Sequence, residues 1–375
     1  MSWDIALTDV VITEPDVEAV LACYRSGWLT MGPRIQAFEE QFAQRVGARH
    51  ALAVSSGSAA IHLALLAAGV GPGDEVVVPA LTFVAAAGMV RACGGTPVLC
   101  DSIGVHDHNL DPQSVADVIT DRTKVVLATH WWGYPCDMAA LRALCEPRGI
   151  AIVEDAAQAV LADLDGEGTL AGTAGVAGCI SLFSKKQLCV GEGGVVLTDD
   201  DAIAATVRSL RSHAMTTVTW DRHRGHAETY DIVDVGFNYR MDEPRAALAL
   251  SRLPRLGDAI ASRRAAVRAY RERLGALDGV LMPWTDAEVQ RSSHFCVGPV
   301  FGDRETRDRV RAALTAAQIQ TTWYPSITRF SEYHHLGPMP HAEEISWRHL
   351  ALPLSATLSD EHVARVCDVV EATLR

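Results

Sequence analysis

A mixed α/β chain is what the sequence predicts: a large three-layer α/β/α domain with a mostly parallel sheet, followed by a small α+β domain. Three observations predict it. From about Ala51 to Asp200 short apolar runs alternate with helical patterns, the rhythm of strand–helix–strand units with helices on both faces of a sheet. Leu248 to Leu274 is a long helical stretch rich in Ala, Arg and Leu, which bridges to a second unit and which Pro254 should kink or break. From Gly279 onward the pattern shortens into brief strands and ends in a helix over residues 360–374. The division is therefore 1–250 for the large domain and 251–375 for the small one.

In chain order, helices are expected over residues 14–26, capped near Thr13, and over 36–46. Strands are expected at Val76–Pro79, Val98–Cys100, Val125–Ala128, Ile150–Glu154, Ser181–Phe183 and Val195–Thr198. Gly149 should end the helix before the fourth of these. His106–Asn109 and Asp286–Arg291 read as polar loops, and no repeat or low-complexity tract interrupts the chain.

The chain has 375 residues, 49% hydrophobic and 21% charged, long enough to bury a large core. A net charge of −13 argues against nucleic acid or an anionic membrane as partner, because phosphate binding needs a basic surface. Nine scattered cysteines without a C-x-x-C pair point to reduced thiols and a cytoplasmic setting. Cys189, close to Lys186, reads as a small buried packing residue. No secretion signal, no membrane-spanning run and no metal-ligand spacing is apparent.

Lys186 carries the most information. It follows a strand-like run and precedes the turn Gly191-Glu-Gly-Gly194, a placement that can put its amine at the edge of a buried cleft. Desolvation there disfavours the ammonium and frees a lone pair to attack a carbonyl. Lys185 reads as an ordinary solvated lysine. Upstream, Asp155 falls at the carboxyl end of the Ile150–Glu154 strand, where open α/β sheets bind ligands. A carboxylate there can keep a pyridinium nitrogen protonated, or it can simply cap a following helix. Gln158 has an amide able to reach a phenolic oxygen on the same ring. Asp155 and Lys186 together are the pyridinium partner and Schiff-base lysine that a pyridoxal 5'-phosphate site requires.

The phosphate end is legible as well. Leu52 to Leu66 reads as strand, small-residue turn and apolar helix. Gly57 lets the backbone approach closely, and Ser58 with the amides of Ala59 and Ala60 would offer donors to an anion at a helix N-terminus. A plain serine cap fits the same residues. Phe83, after the Val76–Pro79 strand, can stack on a flat heteroaromatic ring or belong to the core.

These motifs resemble, over nearly the whole chain, the fold-type I pyridoxal-phosphate aminotransferases of the DegT/DnrJ/StrS family, which aminate keto sugars and cyclitols. The likeness runs from Gly27-Trp-Leu-Thr-Met-Gly-Pro33 through the Ser56-Gly-Ser-Ala59 turn, Pro79-Ala-Leu-Thr-Phe-Val84 and Glu154-Asp-Ala-Ala-Gln158. It continues through Lys186, Gly236-Phe-Asn238-Tyr-Arg240-Met and Leu352-Pro-Leu354. The resemblance implies that Lys186 carries the cofactor and shuttles protons, that Asp155 and Gln158 meet the ring nitrogen and phenolic oxygen, and that Phe83 covers one ring face. It also implies that Ser58, the Ala59 amide and Ser181 hold the phosphate, while Asn238 reaches the phosphate of a neighbouring subunit and makes the active unit a homodimer. Asn238 also fits a turn residue.

Three departures fall where substrate is expected: Thr328 in place of a common histidine, the pair Trp131-Trp132, and Val84-Ala-Ala-Ala-Gly88 after Phe83. The polar, aromatic segment from His213 to Tyr230 can fold over a substrate, with Arg222 and Arg224 meeting diphosphate oxygens, or it can be a solvated loop or a subunit contact. Tyr324 is a further candidate substrate contact. The expected reaction moves an amino group from glutamate or glutamine to a keto sugar, foremost a nucleotide-linked keto-6-deoxysugar of antibiotic or glycan biosynthesis. A glutamine-dependent aminocyclitol aminotransferase, a cofactor-dependent sugar dehydratase and a non-catalytic cofactor-binding regulator are the alternatives.

Overall fold

The computed structural model describes residues 3–217 and 229–375. Two helices lead the chain, α1 (Glu14–Arg25) and α2 (Pro33–Val46). The first is entered at Thr13, whose N–H donates to the Asp16 carboxylate at 3.0 Å. The second starts three residues earlier than the apolar pattern suggests, because Pro33 is tolerated in a first helical turn, where no N–H is needed.

The main sheet has seven strands: β1 (His50–Val54), β2 (Glu75–Pro79), β3 (Thr96–Cys100), β6 (Thr123–Thr129), β7 (Ala151–Asp155), β8 (Ala177–Ser181) and β9 (Gly194–Thr198). Two short strands, β4 (Ser102–Gly104) and β5 (Asp107–Leu110), form a separate antiparallel pair. The order across the sheet is β1-β9-β8-β7-β6-β2-β3. All strands point the same way except β9, which is antiparallel to both of its neighbours. Both faces are covered, so these strands are apolar almost throughout rather than alternating. One apolar cluster, around Phe38, Phe42 and Leu141, fills one side. The other, around Leu63, Val90 and Val207, continues into the C-terminal elements through Val267, Phe301 and Leu350.

The bridging helix is broken where proline requires. Helix Glu243–Arg252 passes through a 3-10 turn at Leu253–Arg255 into helix Leu256–Leu274. The C-terminal part pairs β10 (Val280–Leu281) with β11 (Val300–Phe301) and ends in helix Asp360–Leu374, as the pattern predicts. Residues 5 to 7 return to this part: Ile5 bridges to Ile319, and the Leu7 N–H donates to Gln320 Oε1.

Three expectations need correction. The strand expected at Ser181–Phe183 is Ala177–Ser181, and Phe183 lies exposed beyond its end. Gly175 and Gly178 hid it from an apolar count, yet a Cβ on Gly178 would lie 2.1 Å from the Gly172 carbonyl oxygen, so backbone contact makes glycine obligatory there. Asp286–Arg291 is a helix, started by a capping box between Thr285 and Glu288. His106–Asn109 is no solvated loop: His108 and Asn109 are buried, and Asn109 lies on β5. Among the described residues no helix is long and apolar enough to cross a membrane.

Candidate active site

The carboxyl ends of β1, β2, β6, β7 and β8 share one edge of the sheet, and the predicted site residues gather there. Asp155 is the last residue of β7 and is buried. No regular helix follows it; one carboxylate oxygen accepts the Ala157 N–H at 3.1 Å in a tight turn, so the helix-cap alternative falls away. Burial pushes the Asp155 carboxyl upward, opposed by that N–H and by the charge of Lys186.

Lys186 stands in the return from β8 to β9, half-buried, while Lys185 beside it is exposed. Burial lowers the Lys186 pKa to about 8, with the Asp155 charge acting the other way. At pH 7 roughly a tenth of such side chains are neutral, against about one in three thousand at the ordinary value. Its Nζ lies 4.1 Å over the Phe295 ring.

Gln158 is oriented by its neighbours. The Trp132 N–H, which can only donate, reaches Gln158 Oε1 at 2.9 Å and leaves the amide NH₂ for another acceptor. The same residue anchors the lysine loop: Gln187 Nε2 donates to the Gln158 carbonyl at 2.8 Å and to Ser293 Oγ at 3.0 Å, and Ser293 Oγ donates to that carbonyl at 3.1 Å. A Cβ on Gly133 would come within 2.7 Å of Ser293 Oγ, so this packing admits no larger residue. Gln187 and Ser293 escaped the sequence reading because they carry neither charge nor periodic signal.

Helix α3 (Gly57–Ala67) starts directly after β1 and points its N-terminus at the same edge. Its cap is Ser56, whose hydroxyl accepts the Ala59 N–H at 3.0 Å, while the Ser56 carbonyl takes the Ala60 N–H at 3.0 Å. In this structure the amides of Ala59 and Ala60 are engaged by Ser56, and those of Gly57 and Ser58 have no partner within the helix. A Cβ on Gly57 would lie 2.9 Å from Ser181 Cβ, so glycine is what brings the helix end against the end of β8.

Phe83, four residues beyond the end of β2, is 66% exposed, which removes the core reading and leaves an aromatic face open. Tyr324 lines a narrow cleft with Lys185, Phe295 and Leu354 and stacks on His349, its ring 5° from parallel. Asn238 is exposed and bridges to Ser212. Arg222 and Arg224 lie outside the described residues. Of the three departures, Trp131, Trp132 and Thr328 are buried, the tryptophans in an aromatic cluster with Tyr324 and His349, the threonine bonded to Ser326 and Glu343, while Val84, Ala85 and Gly88 of the third are partly exposed. Cys189 is buried as expected, and all nine cysteines are buried and unpaired.

These parts fit a flat, anionic heterocycle: amides at a helix N-terminus for a phosphate, an open aromatic face, a buried carboxylate and a lysine of lowered pKa. The comparisons with known proteins agree. Residues 10–371 match the family model for the DegT/DnrJ/EryC1/StrS aminotransferase family, and the chain belongs to that family. It is 35% identical to the GDP-perosamine synthase of Caulobacter vibrioides, over 95% of this chain and 94% of that protein. It is 33% identical to the spore coat polysaccharide biosynthesis protein SpsC of Bacillus subtilis, over 96% and 94%. The crystal structure of the aminotransferase TlmJ from Streptoalloteichus hindustanus superposes with a TM-score of 0.90 at 31% identity, covering 100% of this chain and 99% of that one.

Proposed function

We propose that this enzyme transfers an amino group from glutamate or glutamine to a keto sugar, and that the sugar is a nucleotide-linked keto-6-deoxysugar. Pyridoxal 5'-phosphate is the cofactor, and Lys186 is the residue that holds it covalently. The observation that carries this reading is the placement of Lys186 in the β8–β9 return at the sheet edge where β7 ends in the buried Asp155, near enough for each charge to act on the other. The GDP-perosamine synthase and spore-coat polysaccharide relatives support a sugar as the acceptor.

When bound, the cofactor supplies an electron sink for the carbon that loses its proton. Asp155 would hold a proton on the ring nitrogen, and the free NH₂ of Gln158 would donate to the phenolic oxygen. Ser58, Ser181 and the Gly57 and Ser58 amides receive the phosphate, with Ala59 behind them engaged by Ser56. Phe83 would offer its exposed face to the cofactor ring. The Lys186 amine would carry the proton between the amino-acid carbon and the cofactor. Tyr324, Arg222 and Arg224 are the proposed sugar-nucleotide contacts. Tyr230, Ile232, Val233 and Val235 leave apolar surface exposed beside Asn238, which supports a homodimer in which Asn238 serves the other subunit's phosphate.

The test is direct. Borohydride reduction and peptide mapping should find the cofactor on Lys186; a label elsewhere, or none, overturns the assignment. A panel of sugar nucleotides and inososes, offered to the amine-loaded enzyme, should regenerate the starting absorbance with a nucleotide-linked keto sugar. A response confined to inososes would replace the acceptor by a cyclitol.

A further inference from the structure

Lys186 is a cation placed where hydrogen-bonding partners are scarce. Among the described residues no carboxylate lies within ion-pair distance of its Nζ, and no hydrogen bond to Nζ is formed. What it does meet is the face of Phe295, with Nζ 4.1 Å from the ring centroid. The backbone that carries that ring is tied down. The Phe295 N–H donates to the Trp132 carbonyl at 2.9 Å, and the preceding Ser293 N–H donates to the Gly133 carbonyl at 3.1 Å. Trp132 in turn is bonded to Gln158. The phenylalanine that meets the lysine is thus tied to the glutamine turned toward the cofactor ring.

We propose that Phe295 is a positioning residue, the resting place of the Lys186 ammonium whenever its nitrogen is not covalently engaged. The inference rests on Lys186 being the cofactor lysine, as above. A cation over an aromatic face is attracted without being locked: the ring carries no formal charge and accepts no proton, so the ammonium stays in the cleft and can still release one. An ion pair would hold it more tightly and keep it charged. The ionisable groups around this contact are Asp155 at the end of β7, Lys185 next in the chain, Cys296 next to the ring and Tyr324 across the cleft. Burial raises both Cys296 and Tyr324, so neither carries charge near neutral pH, and Asp155 is the counter-charge that remains.

The experiment measures the Lys186 pKa in the full chain freed of cofactor, from the pH dependence of its acylation rate followed by peptide mapping. Phe295→Leu keeps an apolar wall and removes the ring face; it should shift the Lys186 midpoint down by about half a unit to one unit. Phe295→Tyr should leave the midpoint in place. Mono-, di- and trifluorinated phenylalanine at position 295, which preserve shape and drain the ring of charge, should lower it stepwise. This series decides the matter if the leucine variant does not fold. A midpoint unmoved by Phe295→Leu or by fluorination overturns the proposal, and so does an upward shift. Borohydride trapping on Lys186 in the same variants keeps the two readings apart: label retained with an unmoved midpoint removes the role of Phe295 alone, whereas label on another residue removes the assignment of Lys186.

Discussion

Glu154 and Asp155 are consecutive carboxylates at the end of one strand, both buried, and their surroundings could hardly differ more. Glu154 accepts the N–H groups of Gly172, Ala174 and Gly175 and pairs with His130 Nε2 at 2.9 Å. His130 Nδ1 accepts the Cys136 N–H, which fixes its proton on the nitrogen facing Glu154. Burial alone would raise the Glu154 carboxyl, yet His130 and the N–H groups hold it below the ordinary value. Asp155, on the opposite face of the same strand, has the Ala157 N–H for company, and its pKa goes up. A carboxylate whose lone pairs are filled by backbone donors is a fixed part of the framework. One left underfilled in a dry place is available to an arriving cation.

The contrast can be broken in order of expected effect. Lys186→Ala should abolish both the covalent label and all amino transfer, while Lys185→Ala leaves both near the parent; the reverse pattern would place the nucleophile one residue earlier. Asp155→Asn should keep bound cofactor and slow the half-reaction with the amino donor at least about a hundredfold, because an amide cannot counter a cationic ring nitrogen. Stopped-flow rates near those of the parent would return Asp155 to a purely structural role.

Glu154→Gln should reverse that profile. An amide cannot accept from all four donors that the carboxylate fills, so a buried donor is left unpaired at a cost of about 2 kcal/mol in urea unfolding, while turnover per loaded site stays within a few-fold of the parent. Its pH dependence sharpens the comparison. The folded pKa of Glu154 lies below the unfolded value of about 4.5, so its contribution is present above that pH and lost as pH falls through the folded value. The glutamine variant should therefore lose less stability than the parent on acidification below about pH 4.5. Asp155 has the opposite sign: its raised folded pKa gives stability at low pH that fades as pH rises through it. Smallest of the four, Phe83→Leu should weaken cofactor retention about three- to tenfold in equilibrium dialysis, with the melting temperature of the cofactor-free chain unchanged, since the ring packs on little else.

Much of the candidate site could be read from the chain because its parts are local. Asp155 and Gln158 share one strand end, Gly57 to Ala59 one helix start, and Lys186 one loop, so short motifs carry them. The His130–Glu154 pair, the Gln187–Ser293 anchor and the Phe295 contact join residues far apart in sequence, and folding alone brings them together. The cap of α3 was not legible for a subtler reason. Ser55, Ser56 and Ser58 can each be the cap, and only backbone geometry selects Ser56. Trp131, Trp132 and Thr328 were expected at the substrate because they depart from the family pattern, but a departure in sequence does not say which way a side chain faces.

The reversed direction of β9 has a mechanical consequence. A parallel successor to β8 would need a crossover that carries the chain through a helix to the far rim of the sheet before returning. Here Ser181 pairs with Gly194, so the loop bearing Lys186 leaves and re-enters at one rim, clipped to the framework at both feet. Shifts of the covering helices therefore reach Lys186 weakly, and the outer layers of this enzyme can be remodelled for new acceptors while that side chain stays where it is.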